Sequence, residues 1–175
     1  MISQKQYKEA KAKTLEYFDK LNISVTESEK ERIEIADFGL SNLYNIGLQI
    51  LTYINTEKVC AKELVLFPYQ TCPEHRHIDS AESEGKEETF RCRYGIVYLY
   101  LEGEPTENIK ARRFWKRTDE VSVFHEIELR AGEQYTLYPN TKHWFQAGKD
   151  GALVSEFSTT STDETDIFTD KRIQR

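Results

Sequence analysis

The sequence predicts an all-β domain, a jelly roll, barrel or sandwich, preceded by an N-terminal helical extension. After about residue 39, seven or eight short runs rich in β-branched and aromatic residues follow one another. Turn residues separate these runs, and no internal repeat or linker divides the chain. The 175 residues are enough for one domain with its own core. We expect residues 1–38 to form the extension, packed on the barrel, and residues 39–175 to form the barrel and its C-terminal tail.

Two helix starts are predicted before the β region. Ser3 and Gln6 have the spacing of a capping box, in which each side chain accepts a hydrogen bond from a backbone N–H at the helix start. Apolar residues then recur near the helical period as far as Phe18. Thr26 and Glu29 repeat the capping-box spacing and predict a second, shorter helix.

The β region follows a loop that begins at Gly39. The expected strands are Gly47–Asn55, Val59–Phe67, Glu87–Tyr94, Ile96–Leu101, Val121–Leu129, Gln134–Tyr138, His143–Ala147 and Ala152–Ser158. A polar loop lies between the fourth and fifth of these strands. The tail from Thr159 to Arg175 has two interpretations: a solvated segment, or one that is anchored by Ile167 and Phe168.

The composition limits the partners and the compartment. A net charge of −6 argues against nucleic acid and anionic membranes, because both are bound through clustered Lys and Arg. The densest basic run, Lys110–Arg117, is interpreted as a solvated loop or as a segment at the mouth of a substrate site. We see no export signal and no membrane-spanning stretch. The three cysteines lack C-x-x-C spacing and are expected to be reduced, so we expect a cytoplasmic protein.

Two of the four histidines form an H-x-H pattern in His75-Arg76-His77. In an extended segment, side chains at i and i+2 share a face, with Cα atoms roughly 7 Å apart. Both ring nitrogens can then converge on one ion, and neutral imidazole suits Mn, Fe, Co, Ni or Zn. Taken alone, the pattern also fits two exposed histidines on a strand.

A carboxylate ligand is expected from one of two adjacent glutamates. Only one of Glu87 and Glu88 can face the interior of a strand, since side chains alternate. Glu88 shares its face with Phe90 and Cys92, which makes this the apolar, interior face. Glu88 is therefore the candidate ligand, and Glu87 is expected to face solvent. Lys86 falls on the interior face as well, which indicates either a charge role in the site or an ordinary salt bridge.

The fourth candidate ligand is His143. Gly132 and Pro139 bracket a strand and a tight turn that place this histidine at the start of the next strand. His125 instead alternates with apolar residues, which is typical of a packed or surface histidine.

Together these residues resemble the two motifs of the cupin superfamily: His75-x-His77 with Glu88, and Gly132…Pro139…His143. The carboxylate follows the second histidine by 11 residues, a longer gap than most cupins have. That insertion and four strings resemble the cupin-type D-lyxose isomerases over roughly Ala36 to Asp170. The strings are Cys72–His77, Gly85–Thr89, Ser155–Ser158 and Asp163–Asp170.

The resemblance implies a metal-dependent sugar isomerase. It implies interconversion of D-lyxose and D-xylulose through an enediol or enediolate, with D-mannose and D-fructose as a second pair. One divalent metal per chain, Mn²⁺ or alternatively Fe²⁺, Co²⁺ or Zn²⁺, would assist as a Lewis acid. The metal ligands would be His75, His77, Glu88 and His143. By analogy with other cupins, a homodimer is expected.

The remaining roles rest on strand alternation and chemistry. Glu156 alternates with Ala152 and Val154 and is the candidate base; the alternative is an exposed strand glutamate. Lys86 is the second candidate catalytic residue and a candidate sugar contact. Trp144 and Phe145 are candidates for an apolar wall against the sugar carbons or, alternatively, core residues. Asp163, Asp166 and Asp170 either close over the barrel mouth, with Asp166 contacting the sugar, or lie in a solvated tail.

Three other functions remain open at this point. An Fe(II)-dependent cupin dioxygenase uses the same kind of ligand set, but its pocket is expected to lack a positioned lysine and a second glutamate. A non-catalytic sugar-binding cupin would not need a metal. A phosphosugar isomerase would need a basic cluster at its pocket, for which Lys110–Arg117 is the candidate.

Overall fold

A computed structural model describes residues 2–79, 84–162 and 165–174. These residues form two helices and nine strands. The helices are α1 (Gln4–Lys20) and α2 (Glu27–Glu31). The strands are β1 (Glu34–Ala36), β2 (Leu48–Asn55), β3 (Cys60–Leu66), β4 (Thr71–Arg76), β5 (Glu88–Leu101), β6 (His125–Arg130), β7 (Gln134–Leu137), β8 (His143–Ser158) and β9 (Ile167–Phe168).

Both predicted capping boxes are present. The side chain of Ser3 accepts a hydrogen bond from the Gln6 N–H, and the side chain of Gln6 accepts one from the Ser3 N–H. Thr26 and Glu29 make the same reciprocal pair at the start of α2. Each pair satisfies backbone donors that have no partner inside the helix, which is why the two helices begin where the sequence indicates.

The strands form a curled, mostly antiparallel sheet, which confirms the all-β prediction. Among the described residues the order β1-β2-β3-β8-β4-β9 runs along one path, and β5 pairs with β6, β7 and β8. The two longest strands, β5 and β8, pair along nearly their whole length. The C-terminal half of β8 pairs with β3 and its N-terminal half with β4. Thus β8 joins the two halves of the sheet.

Two pairs of predicted strands are single long strands. Glu87–Tyr94 and Ile96–Leu101 together form β5, while His143–Ala147 and Ala152–Ser158 together form β8. The pairing register shifts between Cys92 and Val97, where both strands are irregular. Turn-like residues there indicated strand ends, but they belong to bulges inside continuous strands.

The bulges depend on a close approach of two glycines. Gly95 has φ +75°, and a Cβ built there would lie 2.0 Å from the carbonyl oxygen of Gly151.

We expect Gly95→Ala to destabilise the protein by roughly 3 kcal/mol or more, because backbone must move to relieve the contact. Gly132→Ala is the matched control: Gly132 has φ +95° but nothing within 4 Å of a Cβ, so a loss of about 1–2 kcal/mol is expected. Urea unfolding of both variants measures the difference; equal losses would contradict this explanation.

Three apolar clusters stabilise the fold. The largest fills the sheet interior and includes Leu64, Phe90 and Phe145. A second lies between α1 and the outer face of the sheet, where Phe18 and Phe67 are buried. A third lies beneath the loop that precedes β6, with Tyr100 and Trp144 at its centre. The helical segment therefore packs on the barrel from outside; β1, which lies within residues 1–38, already belongs to the sheet.

Candidate active site

Three buried histidines meet at one end of the sheet interior. His75 on β4 is the register partner of His143 at the start of β8, and His77 follows directly after β4. One ring nitrogen from each lies within 4.8 Å of the others. Strand pairing thus brings together two segments that are far apart in the sequence, and these three histidines can hold a metal ion.

Nδ1 of each of the three imidazole rings lies beside a hydrogen-bond acceptor, which fixes the orientation of the ring. Nδ1 of His75 lies 2.8 Å from the Pro73 carbonyl oxygen, and Nδ1 of His143 lies 3.0 Å from the Thr141 carbonyl oxygen. Nδ1 of His77 lies 2.5 Å from Oδ1 of Asp166. A carbonyl or carboxylate oxygen can only accept, so each Nδ1 carries a proton, and each ring, when neutral, has its lone pair on Nε2. This is the tautomer that binds metals through Nε2.

Glu88 completes the cluster as the sequence pattern predicted. Its Oε1 lies 3.2 Å from Nε2 of His77 and 3.0 Å from Nε2 of His143. Its side chain is buried, whereas Glu87 is exposed, so the alternation argument is confirmed. Nε2 of His143 is buried and makes no hydrogen bond within the described part of the chain, because the contact with Glu88 lacks hydrogen-bond geometry.

These donors fit a divalent first-row metal. Three imidazoles and one carboxylate converge, and the buried Nε2 of His143 has no hydrogen-bond partner in the described residues. Burial would raise the pKa of Glu88, but Lys86 and His77 outweigh it and hold this pKa well below its usual value. Burial, His143 and His77 lower the pKa of His75 well below its usual value. Both groups thereby favour the protonation state in which they can bind a metal.

The second histidine behaves differently in the metal-free protein. Burial would lower the pKa of His77, but Glu88 and the hydrogen bond to Asp166 raise it to about 9. A metal that binds Nε2 of His77 must displace a proton from it, so metal binding is expected to weaken as the pH falls.

A second cluster of charges lies beside the histidines. Nζ of Lys86 lies 2.8 Å from Oε2 of Glu88 and 3.1 Å from Oε1 of Glu156. Nζ of Lys62 lies 3.7 Å from the same Glu156 oxygen. All four side chains are at most 5% exposed. Glu156 is therefore an interior carboxylate, and its alternative interpretation as an exposed strand residue is wrong.

Lys62 is the site residue that the sequence analysis missed. Its side chain lies on the interior face of β3, between those of Cys60 and Leu64, which are both buried. A lysine on the apolar face of a strand is the signal that could have revealed it.

One cavity is lined by residues of both clusters. Its aromatic walls are Phe90 and Phe145, and aliphatic residues of β2 and β3 close its inner end. The polar lining residues are His75, His77, Lys62, Lys86, Glu88, Glu156 and Asp166.

Trp144 and the basic run Lys110–Arg117 were each a candidate for the sugar site with an alternative interpretation, and neither lines the cavity. Trp144 points to the opposite side of β8 from His143, stacks on Tyr100 with ring centroids 3.9 Å apart, and donates from Nε1 to the Val123 carbonyl. It is a core residue rather than a sugar contact, and the aromatic side chain from this part of β8 is that of Phe145. The basic run Lys110–Arg117 also lies outside the cavity lining, packed over the cluster of Tyr100 and Trp144.

The tail is anchored beside the site. Phe168 pairs with His75 in the sheet, and the two rings stack with centroids 5.3 Å apart. Asp166 contacts His77 and lines the cavity. Asp170 is itself buried and pairs with Arg172, whose side chain is 48% exposed. Of the three tail aspartates, Asp163 lies outside the described residues.

Glu74 links the site to its surroundings without facing the cavity. Its carboxylate accepts hydrogen bonds from the Ser122 and Val123 N–H groups and from the hydroxyls of Ser122 and Thr169. Because Glu74 precedes His75 on a strand, these bonds hold β4, the loop before β6 and the tail together.

We expect Glu74→Gln to destabilise the protein by about 2–4 kcal/mol, because an amide NH₂ would face donors inside a buried network. The exposed Glu104→Gln is the control and should change the free energy of unfolding by less than about 0.5 kcal/mol. Chemical denaturation followed by circular dichroism measures both. A loss below about 1 kcal/mol for Glu74→Gln would show that the network matters little.

No helix among the described residues is long and apolar enough to span a membrane.

Solved structures with the same fold identify the structural class. The chain aligns with an L-ribose isomerase of Acinetobacter sp. DL28, solved in complex with L-ribose, with a TM-score of 0.78 at 15% identity over 98% of this chain and 94% of the other. It aligns with an L-ribose isomerase of Cellulomonas parahominis with a TM-score of 0.76 at 17% identity and the same coverage. The fold is therefore the cupin-like barrel of these proteins.

Sequence relatives identify the family. The family model described as D-lyxose isomerase matches residues 18–175. A D-lyxose/D-mannose isomerase of Thermosediminibacter oceani is 59% identical over 100% of this chain and 97% of its own length. A D-lyxose ketol-isomerase of Cohnella laeviribosi is 55% identical over 97% of this chain and 93% of its own length. The chain belongs to the D-lyxose isomerase family and is a sugar isomerase, an intramolecular oxidoreductase of the ketol-isomerase type.

Proposed function

We propose that this protein interconverts D-lyxose and D-xylulose, with D-mannose and D-fructose as a second pair, and that the reaction depends on one divalent metal per chain. The observation that carries the proposal is the convergence of His75, His77, Glu88 and His143 beside a buried lysine–glutamate pair. The names of the sequence relatives support the sugars.

The metal would be held by the three histidines and Glu88. It would supply Lewis acidity, which polarises the sugar carbonyl and stabilises the negative charge that develops during proton transfer. Mn²⁺ is our proposed ion, with Fe²⁺, Co²⁺ or Zn²⁺ as alternatives, since imidazole with one carboxylate suits this group of metals.

Glu156 is the proposed base. The conversion of an aldose to a ketose requires that one proton leaves C2 and one arrives at C1, while a hydroxyl proton moves from O2 to O1. Glu156 is buried in the cavity with the ammonium groups of Lys62 and Lys86 beside it, and its carboxylate can accept the C2 proton and return it to C1. Lys86, 3.1 Å from Glu156, is proposed to assist the proton exchange between the two oxygens.

Asp166 is proposed to serve both the metal ligand and the sugar. Its Oδ1 fixes the ring of His77, and its Oδ2 is buried without a hydrogen-bond partner in the described part of the chain. An unpaired carboxylate oxygen in a cavity is a good acceptor for a sugar hydroxyl, which would satisfy it.

The test is a screen of free aldoses and ketoses with Mn²⁺ in deuterated water. We expect D-lyxose and D-xylulose to interconvert and the product to carry deuterium at C1 or C2, as read by NMR. Oxygen consumption without isomerisation would favour the dioxygenase, and sugar binding without turnover would favour a binding cupin. The paired Lys86 and Glu156 in the cavity favour the isomerase over the dioxygenase. The absence of Lys110–Arg117 from the cavity lining removes the main support for a phosphosugar substrate.

We also propose a cytoplasmic homodimer. The buried free thiols of Cys60, Cys72 and Cys92 are consistent with a reducing compartment. Ile54 and Phe157 lie in one cross-strand row on the outer face of the sheet and are 47% and 51% exposed, so this face is our candidate interface.

Replacing Phe157 with Glu should convert a dimer into a monomer, because a charge would be buried between the two copies. Light scattering coupled to size-exclusion chromatography measures the mass. A wild-type monomer, or a dimer that survives Phe157→Glu, would rule out this interface.

A further inference from the structure

Glu156 is flanked by a buried lysine on each side. In the strand order, β8 lies between β3 and β5. Lys62 on β3 is the direct register partner of Glu156, and Lys86 lies two residues before the start of β5. Both ammonium groups approach the same carboxylate oxygen, Oε1, at 3.7 Å and 3.1 Å.

The two lysines are not equivalent. Lys86 divides its contacts between Glu156 and Glu88, a proposed metal ligand. Lys62 approaches Glu156 from the strand that carries no proposed ligand, and it donates a hydrogen bond to the hydroxyl of Ser161 at 2.7 Å. Ser161 is itself held by Asn55, whose side chain accepts from its N–H and donates to its carbonyl.

Stability alone does not account for an ion pair at this depth. Buried lysines are rare in protein interiors, and a buried ion pair rarely stabilises more than apolar residues of the same size would. Lys62 lies on the interior face of β3, whose other side chains, Cys60, Leu64 and Leu66, are apolar and buried. What an ammonium adds there is a fixed charge and a fixed direction for the carboxylate beside it.

We propose that Lys62 is a positioning residue, which holds the carboxylate of Glu156 aimed into the cavity, and that the Ser161 hydroxyl fixes Lys62 in turn. The inference rests on the proposed role of Glu156. Lys62 acts through Glu156 and need not touch the sugar, so its loss should lower kcat more than it changes KM. A misplaced base can cost about 100-fold in rate.

The test compares Lys62→Met, Lys62→Arg and Ser161→Ala with the wild type, using lyxose turnover and metal content. We expect Lys62→Met to lower kcat by about 10- to 100-fold, with KM within about threefold and the metal stoichiometry unchanged. Lys62→Arg should recover much of the loss, because it restores the charge. Ser161→Ala should have a smaller effect of the same kind. A kcat within twofold of wild type for Lys62→Met, or a loss that follows metal content, would overturn the proposal.

A second measurement does not depend on turnover. Melting temperatures of Lys62→Met, Glu156→Gln and the double variant form a thermodynamic cycle. If Lys62 acts through Glu156, Lys62→Met should lower the melting temperature much less in the Glu156→Gln background than in the wild type. Additive changes would overturn the coupling. Because this cycle needs no substrate, a wild type without lyxose turnover would refute the proposed function and leave the Lys62–Glu156 coupling separately measurable.

Discussion

Glu156→Gln should retain one metal per chain and lose turnover by about 10²- to 10⁴-fold, the usual contribution of a positioned base. The amide has nearly the same shape as the carboxylate but cannot accept the C2 proton. The metal should stay because Glu156 lies next to Lys62 and Lys86 rather than among the histidines. Steady-state kinetics, solvent deuterium incorporation and metal analysis of the same sample measure the three quantities.

Glu63→Gln is the matched control for this experiment. Glu63 is also a buried glutamate, on β3, but it accepts hydrogen bonds from Ser155 and lies outside the cavity lining. Its replacement should leave kcat within about threefold of wild type. If Glu156→Gln exchanges deuterium at the wild-type rate, the base is another residue, and Lys86 is the next candidate.

Removal of the metal is expected to abolish activity. A chelator should reduce lyxose turnover to background, and Mn²⁺ should restore it, because the enediolate would otherwise form without a neighbouring cation. His143→Ala should reduce metal content well below one per chain, since it removes a ligand from the centre of the cluster. His125→Ala is the control: His125 lies at an exposed contact with the Glu104 carbonyl and should keep both metal and activity.

Two outcomes would contradict this account. Full activity in excess chelator, with no metal detected in the sample, would exclude a metal-dependent reaction. Normal metal content in His143→Ala would show that the ion binds elsewhere.

Local patterns in the sequence predicted much of the fold and of the histidine–glutamate cluster. Capping-box spacing located both helix starts, because those hydrogen bonds join residues three positions apart. Strand alternation distinguished Glu88 from Glu87, since only the side-chain direction within one strand was needed. The histidines could be grouped because their contexts resembled a known motif.

Features that depend on long-range pairing were not predictable in the same way. Nothing near Asp166 indicates that it contacts His77, 89 residues away. Lys62 was missed because its partner Glu156 is brought to it only by the pairing of β3 with β8. Trp144 was misassigned because proximity to His143 in sequence suggested proximity to the site, whereas adjacent residues of a strand face opposite sides.

The irregular middle of β8 limits how many residues this strand can gain or lose. His143 and Glu156 are 13 positions apart, so on a regular strand they would point in opposite directions. Both nevertheless face the sheet interior, where His143 contacts Glu88 and Glu156 lines the cavity, because the segment around Gly151 switches which positions, odd or even, face inward. An inserted or deleted residue there would turn either the histidine or the glutamate outward, whereas a change of two would keep both inside. An insertion or deletion in the middle of β8 must therefore contain an even number of residues if both side chains are to stay inside.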